Sequence, residues 1–210
     1  MWCYTLLMKV YTWKTPNGYK VPIMLDELGL EYEIVPIDIQ KGAQMTPEFL
    51  AMNPNHKIPV LVDSDLTIFE SGAILIYLVE KSGKFQPKDL KEKYSIMEWL
   101  MFQMASVGPM FGQANHFVKY APERIEYATK RYVDESNRLL GVLETRLSQV
   151  PYLGGEYGIA DIATWPWIRA GQNVGYVDLS KFPNAKKWYE AIEGRDAVKR
   201  ALQKVDEVCK

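Results

Sequence analysis

In the first part of the chain apolar residues gather in short runs broken by turn residues, whereas beyond Pro87 they recur at helical spacing. Leu6 to Trp13 (LLMKVYTW) is dense in β-formers and predicts a buried strand. A turn cluster, Thr15-Pro16-Asn17-Gly18, follows. Next comes a helix carrying Val21, Met24, Leu25 and Leu28 on one face, with Gly29 as its stop. Glu33 to Asp38 predicts a second strand, which Pro36 moves toward an edge position. Thr46-Pro47-Glu48 opens a short helix through Met52. Val60-Leu61-Val62 and Leu66 to Phe69, parted by Asp63-Ser64-Asp65, read as a β-hairpin. Ser71 is the expected N-cap of a helix to Ser82, leaving backbone N–H groups open to an anion. The order β-α-β-α-β-β-α, with a right-handed crossover, predicts two parallel neighbours and a hairpin in one four-stranded mixed sheet.

Composition narrows the partners. Of 210 residues 48% are hydrophobic and 24% charged, ordinary for a soluble globular chain. A net charge of −1 argues against nucleic acid or an anionic membrane surface as partner. The start MWCYTLLMKVYTW lacks a signal-peptide pattern, and no apolar run approaches a membrane span, so a cytoplasmic protein is expected. Cys3 and Cys209 lie far apart in sequence with no CxxC, which suits a reducing compartment and removes metal clusters from consideration. Cys209 is expected to be exposed, and Cys3 to stand short of the active corner.

The strand order resembles that of thioredoxin-like domains, whose first-strand corner often carries CxxC. Here that corner is Thr15-Pro16-Asn17-Gly18 and holds no sulfur, so any thiol chemistry needs an outside sulfur. The stretch NPNHKIPVLVD, followed by IFESGAILIYL, resembles the glutathione-binding half of glutathione transferases. TPNG at the corner is similar to the Nu class of bacterial members and to the related domain of the yeast nitrogen-regulator prion protein. Taken singly, TPNG is a capping turn, Glu70-Ser71 a capping signal and Lys57 a solvated charge. Their order within a βαβαββα pattern is what gives them weight.

The resemblance implies roles. Thr15 and Asn17 are the catalytic candidates, donating to a glutathione thiolate at a helix start. Glu70 would take the α-ammonium of the γ-glutamyl end, and Ser71 its carboxylate. Ile58 would pair with the cysteinyl backbone like an added strand, before a cis Pro59; Lys57 and Gln44 would meet the glycine end.

Ser82 to Pro87 reads as a break, giving a thioredoxin-like domain at 1–83, a linker at 84–87 and an all-α domain at 88–210: the glutathione transferase fold. Tyr94 to Met104 is almost apolar all round and is expected between other helices, with a kink at Gly108-Pro109-Met110. Trp99, Gln103, Gly108-Pro109-Met110, Gly112-Gln113 and His116-Phe117 follow the Nu-type pattern, a second signature apart from the first. Pro122 to Val150 predicts a long helix. Within it Arg131 is either a surface ion pair or, by the resemblance, a cation facing glutathione, with a homodimer implied. Phe111, His116, Phe117, Trp165 and Trp167 are candidate walls of a second-substrate pocket, although aromatics at helical spacing usually build a core. Ile159 to Ala163 marks a central helix. Gly158 stands where the family has a capping Ser or Thr, so Asp161 reads as structural.

The activity implied is disulfide reduction by glutathione, with conjugation of electrophiles, weak peroxidase action or a non-enzymatic regulatory role as alternatives. Glutathione is then the cosubstrate, and no metal is called for.

Overall fold

A computed structural model describes residues 7–210; the Cys3 expectation lies outside them. Among the described residues the chain forms two units. One runs to Lys84 and takes in Arg195–Lys210; the other is Phe85–Gly194.

The first unit is built on strands β1 (Met8–Thr12), β2 (Tyr32–Pro36), β3 (Val60–Asp63) and β4 (Leu66–Phe69). They order β2-β1-β3-β4, with β1 parallel to β2 and antiparallel to β3, and β3 antiparallel to β4. Pro36 does close an edge strand, where its missing N–H costs no ladder bond. Helices α1 (Pro16–Leu28) and α3 (Ser71–Ser82) pack on one another, and α2 (Pro47–Met52) is a short connector. Val10, Val60 and Leu61 of the sheet, Met24 and Leu25 of α1, and Ile74, Leu75 and Leu78 of α3 are fully buried.

The second unit holds α4 (Leu90–Phe102), α5 (Gly108–Asn115), α6 (Glu126–Leu147), α7 (Ile159–Val174) and α8 (Pro183–Glu193). Helix α7 is buried from Ile159 through Ile168, the central helix its pattern predicts. Pro109 breaks nothing outright. Having no N–H, it ends the α pattern of α4 in a π-helical stretch, Gln103–Val107, and a second such stretch, His116–Tyr120, ends α5. No helix among the described residues is long and apolar enough to cross a membrane.

Two expectations change here. Helix α4 is not enclosed: Leu90 is 71% and Tyr94 62% exposed, and only Leu100 is buried. The last helix, α9 (Asp196–Val208), does not join the helical unit; it packs on α1. Its apolar face of Ala197, Val198, Ala201 and Val205 is buried there. Ion pairs set the register: Arg195 forks onto Glu27 at 2.6 and 2.8 Å, and Lys204 Nζ donates to Asp26 at 2.7 Å. The Tyr19 hydroxyl donates to Asp206 at 2.7 Å.

Candidate active site

The pairings of Tyr11 with Val60 and of Val60 with Phe69 set the end of β1, the start of β3 and the end of β4 side by side. Trp13–Thr15, Ile58-Pro59 and Glu70-Ser71 therefore emerge at one edge of the sheet, about 5 Å from strand to strand. That brings the candidate residues of four loops to one place, since β2 ends there too, opposite Thr12.

The corner after β1 is held by its own backbone and side chains. Thr15 N–H donates to Trp13 O at 2.7 Å. Thr15 is extended, caps α1, and its Oγ1 accepts the Gly18 N–H at 3.0 Å. Its hydroxyl still has a proton to donate. Asn17, half-buried, is the second residue of the helix, where N–H groups and the helix dipole favour an anion. Gly18 has no alternative: a Cβ there would lie 1.9 Å from Trp13 O. Pro22 lacks the N–H that would serve the Gly18 carbonyl, and the Thr12 hydroxyl donates to it instead, at 2.8 Å.

At the entry to β3 the Ile58–Pro59 peptide is cis, as the resemblance implied. Asn53 shapes that loop: its Nδ2 donates to Lys57 O at 2.6 Å and its Oδ1 accepts from Asn55 N–H at 2.9 Å. Lys57 is exposed, Ile58 half-buried and Pro59 buried. Gln44 sits in a single 3-10 turn, Ala43–Met45; its Nε2 donates weakly to Ile39 O at 3.4 Å, and its Oε1 is buried without a hydrogen-bond partner.

At the head of α3 the cap is Glu70, not Ser71, which is the first helical residue. Glu70 has φ 70° and ψ 111°, a conformation uncommon for a residue with a Cβ and found where a site demands it. Its carboxylate is exposed, while Ser71 is buried. Behind Ser71 lies a residue the sequence reading passed over. Lys20 of α1 is completely buried, and its Nζ donates to Ser71 Oγ at 3.3 Å. Burial pulls its pKa from 10.5 to about 7, against the opposing pull of Glu70. The signal was present in the spacing: Lys20, Met24 and Leu28 form one i, i+4 row on the buried face of the helix.

Cys209 is buried rather than exposed; its Sγ–H points at Thr12 O, 3.8 Å away, and burial raises its pKa. Because α9 returns to α1, the thiol is carried against the end of β1.

In the second unit, Arg131 is exposed on α6 and lines a cleft of about 620 Å³ with Met110, Tyr127, Lys130, Asp134 and Glu135. Glu135 takes its fork from Arg138, at 2.8 Å, rather than from Arg131. The aromatic candidates divide. Phe111 and Trp165 are fully buried, and Trp165 stacks on Tyr189 while donating to the Tyr189 carbonyl at 3.1 Å; these two are core, not pocket wall. Trp167 is buried beneath Gly112, whose Cβ would come within 3.4 Å of the indole. His116 is exposed, and Phe117 stacks on Tyr132 at 5.5 Å.

Comparison with known proteins decides the family. The family models for the glutathione S-transferase N-terminal and C-terminal domains match residues 7–80 and 99–196. The chain belongs to the glutathione S-transferase family. Disulfide-bond oxidoreductase YfcG of Escherichia coli is 44% identical to this transferase, over 94% of this chain and 95% of its own. A family member from Pseudomonas fluorescens, solved with two glutathione bound, matches with a TM-score of 0.87 and 43% identity, covering 96% of this chain and 94% of that one. The transferase from Pseudomonas putida, solved with one glutathione disulfide bound per subunit, gives 0.90 and 39%, over 96% and 93%.

Proposed function

We propose that this transferase reduces disulfides at the expense of two glutathiones, and that its first-strand corner holds the attacking thiolate. The observation that carries the reading is the corner itself. It has the thioredoxin-like position but no sulfur, and Thr15 accepts from Gly18 N–H at 3.0 Å while keeping its own hydroxyl proton for another acceptor. A donor at a helix start lowers a thiol pKa and so supplies thiolate at neutral pH.

The rest of the edge fits the tripeptide by length and charge. From β4 across β3 to β1 is roughly 10 Å, about the span of three extended residues. Glu70 suits the α-ammonium, the head of α3 with Ser71 the α-carboxylate, and Ile58 the cysteinyl backbone. Lys57 and Gln44 suit the glycine end, where the buried Gln44 Oε1 has no partner of its own. Arg131 enters on the resemblance alone.

In the reaction, the glutathione sulfur bonds to one sulfur of the substrate disulfide and the other leaves as a thiolate. A second glutathione thiolate then attacks the glutathione sulfur of the mixed disulfide, releasing the second substrate thiol and glutathione disulfide. Two electrons pass from two glutathiones to one disulfide. Room for both is supported by the relatives that bind two glutathiones or the disulfide. On the TPNG and GPMFGQANHF stretches we assign the chain to the Nu class, and a reducing, cytoplasmic setting suits glutathione as reductant.

The test is paired turnover: reduction of hydroxyethyl disulfide by glutathione, and conjugation of chloro-dinitrobenzene. Disulfide turnover should exceed conjugation. Thr15→Ala and Asn17→Ala should each lower it about 10- to 100-fold, the worth of one hydrogen bond to a charged sulfur. Strong conjugation with negligible disulfide turnover would overturn the reading.

A further inference from the structure

We propose that Lys20 is a positioning residue of the γ-glutamyl subsite: its ammonium holds the Ser71 hydroxyl and offsets the negative charge that Glu70 and an incoming α-carboxylate bring together at the head of α3. The inference rests on the glutathione reading above and adds to it a buried charge and a proton.

The charges require something of this kind. Glu70 stands at the cap of α3 with its backbone at φ 70°, and Ser71 is the next residue. A γ-glutamyl group brings one ammonium and one carboxylate to that spot. Its ammonium matches Glu70, but its carboxylate then sits beside the Glu70 carboxylate, and a helix end is worth only about half a charge against it. Lys20 supplies a whole one, with its Nζ 3.3 Å from Ser71 Oγ and no exposed surface. Burial of a charge is costly unless opposite charge meets it. In the ligand-free protein that cost holds the Lys20 pKa near 7, with Glu70 the charge that acts on it.

Among the described residues, several charges on the neighbouring elements have partners of their own. Asp26 of α1 is held by Lys204 and Arg200, and Glu27 by Arg195. Asp206 of α9 takes the Tyr19 hydroxyl, Lys9 of β1 pairs with Glu33, and Lys81 of α3 pairs with Asp63. An arriving carboxylate therefore raises the proton affinity of Lys20, so above pH 7 binding draws in a proton.

The test is calorimetry with S-methylglutathione, which has no thiol to titrate, in buffers of different ionisation enthalpy. At pH 8 the wild type should take up about one proton per ligand, and at pH 5.5 none. The analogue with γ-aminobutyrate in place of glutamate lacks the α-carboxylate and should bring no proton at either pH. Lys20→Met should abolish the uptake and weaken S-methylglutathione about 10- to 100-fold, while binding the decarboxylated analogue as the wild type does. If wild type and Lys20→Met bind S-methylglutathione alike, with equal proton uptake, the role of Lys20 is refuted and the glutathione reading stands. If the wild type does not bind S-methylglutathione, the glutathione reading falls and this one with it. Should Lys20→Met fail to fold, the two ligands on the wild type decide: uptake that is absent, or the same for both, overturns the proposal.

Discussion

Lys20 is a cation with no exposed surface, and that has a consequence for stability apart from any ligand. Its pKa is near 7 in the folded chain and near 10.5 in the unfolded one, so between those values the unfolded chain holds the extra proton. Stability from this group therefore rises with pH across that window, and the burial cost is fully present below pH 7. Lys20→Met should flatten the rise and be more stable than wild type at pH 6. Urea unfolding of both proteins at pH 6, 8 and 9.5 checks it; parallel pH profiles would sink the idea. At this scale the sequence was legible where a residue type announces its role locally. Thr15 as a cap is such a case, whereas the cis Ile58–Pro59 peptide was implied by the resemblance and not by its own residues. It was not legible where the role is set by a distant surface. Nothing near Cys209 in sequence says that Thr12 lies against it, and Gly18 is needed because a carbonyl five residues earlier occupies the place of its Cβ.

Helix starts show how an element can be under-built without losing its fold. At the start of α7, Asp161 is buried and accepts from the N–H groups of Leu153 and Gly158 and from the Trp188 indole, at 2.9, 3.1 and 2.7 Å. Only the reciprocal half, a side-chain oxygen at Gly158, is missing. Gly158 is in extended backbone that any residue adopts, and the nearest atom to a Cβ there is Glu156 O at 3.9 Å. Gly158→Ser should then stabilise by about 0.5–1.5 kcal/mol through the cap and a less flexible unfolded chain, seen as a melting point higher by about 2–4 °C. An unchanged or lower melting point would contradict it. Element types were read well because period and capping residues are local signals. The mates of an element were read less well: the end of the chain was assigned to the all-α domain at 88–210, and a pattern of buried positions does not name the surface that buries it. Removing residues 195–210 uncovers α1 and leaves Asp26 and Glu27 without their cations. The loss should be on the order of 5 kcal/mol, read as a chain whose first unit no longer melts cooperatively.

The described residues divide into a sheet unit and a helical unit, and the parallel pairing of β1 with β2 and the β3–β4 hairpin followed from connection rules that hold across proteins. Exposed apolar side chains stand on both units, among them Leu66 and Phe69 on the edge strand β4 and Leu90, Tyr94 and Met101 on α4. We expect a homodimer, so light scattering should give twice the chain mass, and Tyr94→Lys with Phe69→Lys should shift it toward one chain. A single-chain mass in the wild type would refute this. The return of α9 to α1 also sets a timetable. A ribosome makes the four strands first, then the whole helical unit, and only afterwards the helix that covers α1. At ordinary elongation rates of about 5–20 residues per second, the sheet unit waits several seconds with one flank bare while the helical unit closes behind it. During synthesis, the half of the protein that is made first is the half that is finished last.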